Sequence, residues 1–173
     1  MRAPRPAFPA VLTVFVVTTL LVAACGRSGD APVSPGGPDT TTVPKAIPVS
    51  FGASGTIKAE LATLAAQRAT GLMNRSSIAA DSGMLFVWAQ DQNNQLVAFY
   101  MLNTHFDLSV AFLDASKRVI NIEDMTHDTE TLHFAAAPFR YALEAPRGWF
   151  AAHGVATGAT ASFSIPAGVK IDP

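Results

Sequence analysis

Arg2 and Arg5 precede an apolar run from Ala10 to Val22, which closes on small residues, Val22-Ala23-Ala24-Cys25-Gly26. A basic flank, an apolar stretch shorter than the ~20 residues of a spanning helix and small residues before a cut are the marks of a secretion signal. Residues 1–24 are therefore expected to be removed on export. From Gly26 to about Pro48 the chain is rich in Gly, Pro, Ser, Thr and Asp and has almost no large apolar side chain. Such a segment cannot bury enough surface to offset its ordering entropy, and it reads as a disordered tether, residues 25–48. Only residues 49–173 then have to make a core, a length that suits one domain.

Val-Ala-Ala-Cys also resembles the lipobox of bacterial lipoproteins, in which the cysteine is lipidated and becomes the first residue of the mature chain. An ordinary secretory signal with a chance cysteine, or an uncleaved anchor, would show the same charge and apolar run. Cysteine usage favours lipid, because Cys25 is the only cysteine and can form no internal disulfide in an oxidising compartment. The expected location is the cell envelope, anchored to a membrane through Cys25, with the domain facing the periplasm or the exterior. Losing Arg2 and Arg5 from 12 basic residues leaves ten against 13 acidic ones, a formal charge of −3. With no basic run or patch, nucleic acid is not an expected partner.

The domain reads as a β-rich α+β fold of about six short strands with one or two short helices, a compact small barrel or sandwich. Ile57 to Leu61 alternates apolar and polar, as a half-buried strand does. Thr63 is expected to cap a helix from Leu64 to Thr70 that Gly71 ends. Met84 to Trp88 is a continuous apolar run fitting a buried strand, and Leu96 to Leu102 reads as another beyond the polar turn Asp91-Gln92-Asn93-Asn94. Val110–Leu113 and Arg118–Ile122 flank Asp114-Ala115-Ser116-Lys117 as a β-hairpin. A strand at Arg140 to Glu144, a helical turn at Trp149 to His153 ended by Gly154 and a last strand at Thr160 to Ile165 complete the pattern.

Five blocks now stand in order: Gly71-Leu72-Met73-Asn74-Arg75, Gly83-Met84-Leu85-Phe86-Val87, Phe99-Tyr100-Met101-Leu102-Asn103-Thr104, Tyr141-Ala142-Leu143-Glu144 and Gly148-Trp149-Phe150. Together they resemble the family catalogued as domain of unknown function 192, from about Ile57 to Phe163. The resemblance implies a small β-rich domain, often exported or lipid-anchored, with no established activity, substrate or cofactor. The family usually carries tryptophan at Tyr100, a basic residue at Leu102, proline at Asp107 and aspartate at Ser109.

Several groups could carry chemistry. His105 and Asp107 would share one face of a strand, where a carboxylate can orient an imidazole, although a solvated strand start needs the same residues. Glu123-Asp124-Met125-Thr126-His127-Asp128, followed by Glu130 and His133, mixes imidazole and carboxylate as a divalent-ion site does, but fits no tight signature. Met73, Met84 and Met101 could bind Cu(I), and methionine equally fills irregular cores. Arg75, Asn103, Thr104 and Glu144 are the polar members of the motif blocks and the candidates for ligand binding; an Arg75–Glu144 ion pair and an Asn–Thr turn bond would require them as well. No GxSxG elbow or phosphate-cradling loop is present, and a lipidated Cys25 cannot be a nucleophile.

These readings converge on a lipid-anchored envelope module that binds a small ligand or an envelope protein, without a cofactor. The alternatives are a metal-dependent or hydrolytic enzyme using His105 with Asp107 or the His127–His133 loop, and a copper-handling module using the three methionines.

Overall fold

The computed structural model describes residues 45–173, so the signal, Cys25 and most of the tether lie outside the described residues. Eight strands form: β1 (Ala46–Ser50), β2 (Thr56–Ala62), β3 (Ser82–Gln92), β4 (Ala98–Phe99), β5 (Leu108–Leu113), β6 (Val119–Met125), β7 (His133–Phe134) and β8 (Phe139–Pro146). Helices α1 (Ala65–Thr70) and α2 (Trp149–Ala152) are both short. The main sheet runs β1-β2-β3-β8-β5-β6, antiparallel except where β2 lies parallel to β3, and β4 pairs with β7 in a second small sheet. The main sheet is open, not a closed barrel. Its first strand begins at Ala46, three residues before the boundary suggested by composition.

The strands follow from side-chain alternation. In β2, Ile57, Ala59 and Ala62 are buried, while Thr56 and Lys58 are exposed. The inner strands β3, β8 and β5 are buried on both faces, which is why they read as continuous apolar runs. The β5–β6 hairpin turns on Asp114, whose side-chain oxygen accepts hydrogen bonds from the backbone of Ser116 (2.8 Å) and Arg118 (2.9 Å).

Three expectations are corrected. Leu96–Leu102 is not one strand: only Ala98–Phe99 pairs, Leu96 is exposed, and the Met101 N–H turns away to the carbonyl of Thr129 (2.9 Å). Thr160–Ile165 makes no strand, but two isolated bridges, Ser50 with Ser162 and Arg118 with Thr160, which join β1 to the β5–β6 turn. Thr63 does not cap α1; the side-chain oxygen of Gln67 reaches back to the N–H groups of Thr63 and Leu64, both at 3.0 Å.

Each face of the main sheet has its own core. On the first face Leu85, Val87, Leu143 and Ala145 pack beneath Trp149, Phe150 and Phe163. On the second, Phe86, Phe99, Phe112, Phe139 and Trp88 form a ring of aromatic contacts with centroids 4.9, 5.4, 5.2 and 5.3 Å apart, all edge-on, closed by a looser Phe86–Trp88 stack. Edge-on pairs of this kind contribute about 0.5–1.5 kcal/mol each beyond the area they bury.

Candidate functional site: a buried carboxyl beneath aromatic walls

Alternation along β8 sends Leu143 to the first face and Glu144 to the second, where its cross-strand neighbours are Met84 on β3 and Val110 on β5. Glu144 is 5% exposed, and its Oε2 is buried without a hydrogen-bond partner. Burial pushes the carboxyl up to about 8, against a weaker downward pull from the Arg75 guanidinium. Above Glu144 lies a cavity of about 240 Å³, with Phe86, Trp88, Phe99 and Leu72 among its walls, Tyr100 among its exposed lining and the buried Thr104 in the same lining.

Arg75 does not pair with Glu144. Its fork donates to both oxygens of Glu60 on β2 (Nη1–Oε1 2.8 Å, Nη2–Oε2 3.1 Å), and Lys45 approaches the same carboxylate at 3.7 Å. The hydrogen bond from Arg75 holds the Glu60 carboxyl below its ordinary range. Arg68, from α1, also lines the cavity and stacks 5.1 Å above the Trp88 ring. Its Nη1 donates to the carbonyls of Thr63 (2.7 Å), Val87 (2.9 Å) and Asp172 (3.2 Å), and its Nη2 to that of Pro173 (2.6 Å).

Asn103 serves the backbone. It and Asn74 both have positive φ (56° and 62°), a conformation asparagine tolerates, and the Asn74 N–H donates to the Asn103 carbonyl at 2.7 Å. This bond ties the segment carrying Arg75 to the turn carrying Thr104. Thr104 is buried in the cavity lining, whereas Asn103 is exposed outside it.

The histidines and acids pair differently from the sequence expectation. His105 Nδ1 lies 2.9 Å from Asp128 Oδ1, while Asp107 accepts from the His127 backbone N–H (2.9 Å), lies 2.7 Å from His127 Nδ1 and takes Arg147 at 3.2 Å. These hydrogen bonds, that of the His127 N–H foremost, hold the Asp107 carboxyl down to about 2. His133 stands apart, with Nδ1 3.9 Å from Glu123 and a buried, unpartnered Nε2. Among the described residues no three His, Cys, Asp or Glu side chains converge to hold a metal ion. Of the methionines, Met84 and Met101 are packed in the second core and Met73 lines the cavity.

Sequence reasoning missed the cavity walls and one polar contact. The walls were hidden because Phe86, Trp88 and Phe99 look like any core aromatics; the available signal was a glutamate inside the apolar run of β8. Ser109, where the family usually has aspartate, is buried and donates its hydroxyl to Asp124, its cross-strand partner, while accepting the Gly148 N–H at 3.0 Å.

Mixed six-stranded sheet, short crossover helix and carboxyl-floored cavity define a small β-rich domain with a pocket on one sheet face. The chain belongs to the family DUF192, described as "Uncharacterized ACR", whose model matches residues 48–163. Among solved structures it is similar to a chain from Sinorhizobium meliloti 1021 described as a "putative transcription regulator", at 28% identity and TM-score 0.63, covering 71% of this chain and 96% of that one. It is also similar to a protein of unknown function from Novosphingobium aromaticivorans DSM 12444, at 29% identity and TM-score 0.62, covering 76% and 94%. No protein of curated function matches the chain.

Proposed function

We propose that this protein is a lipid-anchored envelope module that binds a small ligand in the cavity above Glu144. One observation carries the binding reading: Glu144, a buried carboxyl whose Oε2 has no hydrogen-bond partner, lies in the lining of a site walled by aromatic side chains. An unsatisfied buried carboxyl costs free energy that a ligand group can recover. A few convergent polar groups in an apolar concavity are the usual composition of a ligand site.

The anchor rests on Arg2, Arg5, the apolar run and Cys25. Two or three acyl chains, at ~0.8 kcal/mol per buried methylene, would hold the protein to a membrane stably. The description of the S. meliloti chain does not lead us to nucleic acid here, because this chain's balance is acidic and shows no basic stripe.

Native mass spectrometry of the protein extracted gently from the envelope tests both halves. An adduct that is lost on Glu144→Gln supports the cavity, and Cys25→Ser should move the protein out of the membrane fraction. Unchanged partitioning of Cys25→Ser overturns the anchor; an adduct indifferent to Glu144 overturns the site.

A further inference from the structure

We propose that the cavity takes an alkylammonium, its cationic head at Glu144 and its apolar stem along the wall formed by Phe86, Trp88 and Phe99. This rests on the reading of the Glu144 cavity as a ligand site and adds the chemistry of the ligand.

Size sets the first limit. A cavity of about 240 Å³ exceeds the roughly 150 Å³ that admits benzene in an engineered apolar cavity, so one ring or a short chain fits and a nucleotide does not. Charge sets the second. The two guanidiniums near the cavity are already occupied, Arg75 by both oxygens of Glu60 and Arg68 by four backbone carbonyls. An anionic ligand would therefore meet Glu144 with no free cation to receive it. An ammonium would meet the Glu144 carboxyl in the lining, beside the aromatic side chains of Phe86 and Phe99 and next to a Trp88 ring that already holds the Arg68 cation.

The proton balance is specific. Around Glu144 the charged groups are Arg75 with Glu60 on the β2 side and Arg68 from α1; β3 and β5 present the neutral Met84 and Val110, and Thr104 is neutral. With its carboxyl pushed up to about 8, Glu144 is protonated in the empty cavity at neutral pH. An arriving ammonium keeps its own proton and forms an ion pair with the carboxylate, so one proton passes from Glu144 to solvent for each ligand bound. Affinity should rise about tenfold per pH unit from pH ~6 to ~7 and level off above about 8.

The test is calorimetry on the full chain in mild detergent, in two buffers of different ionisation enthalpy. The probes are n-pentylamine, 2-phenylethylamine and Nα-acetyl-lysine methylamide, against n-pentanol and pentanoate. The expected result is amine binding with release of close to one proton at pH 7, weakened at least about tenfold by Glu144→Gln. Tighter binding of the lysine derivative would make the natural source a lysine side chain on a partner protein, and tighter binding of the simple amines a free amine. Pentanol or pentanoate binding as well as the amines overturns the ammonium and leaves the cavity as a ligand site; amine binding without proton release overturns the neutral carboxyl of the empty cavity. Failure of every probe to bind overturns both. Proton release is read on the unmodified protein, so the test survives a Glu144→Gln variant that fails to fold.

Discussion

Leu143 and Glu144 are neighbours in sequence, yet they inhabit opposite halves of the molecule. Leu143 is sealed beneath Trp149 and Phe150 on one face, while Glu144, on the other, lies in the lining of a cavity. The same strands β3, β5 and β8 serve both, because alternate residues point to opposite sides. The contrast teaches that a sheet buried on both faces can divide its labour. One face supplies packing, and that surplus lets the other hold a carboxyl that would be unfavourable in a domain with a single core.

Loss of a fully buried ring should be the most severe. Phe150→Ala is expected to cost about 4–5 kcal/mol in urea unfolding, and Phe99→Ala, at a ring that is less deeply buried and lines the cavity above Glu144, distinctly less; equal costs would erase the distinction between the two sites. Next is Gly83→Ala, at about 3 kcal/mol, since a Cβ there would overlap the Glu144 carbonyl and crowd Ile57. Third comes pH. The folded Glu144 carboxyl is raised from 4.5 to about 8, so between those values the folded chain holds a proton that the unfolded chain has lost. Its contribution is complete below about 4.5 and is lost as pH rises to about 8. Glu144→Gln should remove that slope from the unfolding curve measured across the window.

The smallest effect is expected outside both cores. His127→Ala should change stability by under ~1 kcal/mol, because its pair with Asp107 is exposed. The sign for Asp107 is opposite to that for Glu144: its support is present above its ordinary 3.8 and is lost as pH falls toward about 2. Carboxyl titration followed by NMR should show Asp107 rising only part of the way toward 3.8 in the variant, because the backbone N–H of residue 127 remains; an unmoved Asp107 would refute the side-chain pairing.

Local rules made β2, β3 and the β5–β6 hairpin legible, since alternation, apolar runs and the Asp114 turn act within a few residues. The segments misread as strands, Leu96–Leu102 and Thr160–Ile165, are shaped by partners far away in sequence: Thr129 for the first, Ser50 and Arg118 for the second. The site follows the same division. Glu144 and Thr104 could be singled out as polar residues in apolar blocks. That Arg75 takes Glu60 instead of Glu144 depends on β2 lying beside β3, a pairing that no spacing in the chain encodes.

The strand carrying Glu144 is the last to be synthesised of the eight among the described residues, yet it sits between β3 and β5 in the middle of the sheet. A nascent or truncated chain that ends before Phe139 has only β1-β2-β3 and β5-β6 to offer as main-sheet pairings, each half with an apolar strand whose hydrogen-bonding side is unoccupied. Such edges recruit other chains, so the interval before β8 arrives is when aggregation is most exposed, and no form cut before Phe139 can hold the pocket.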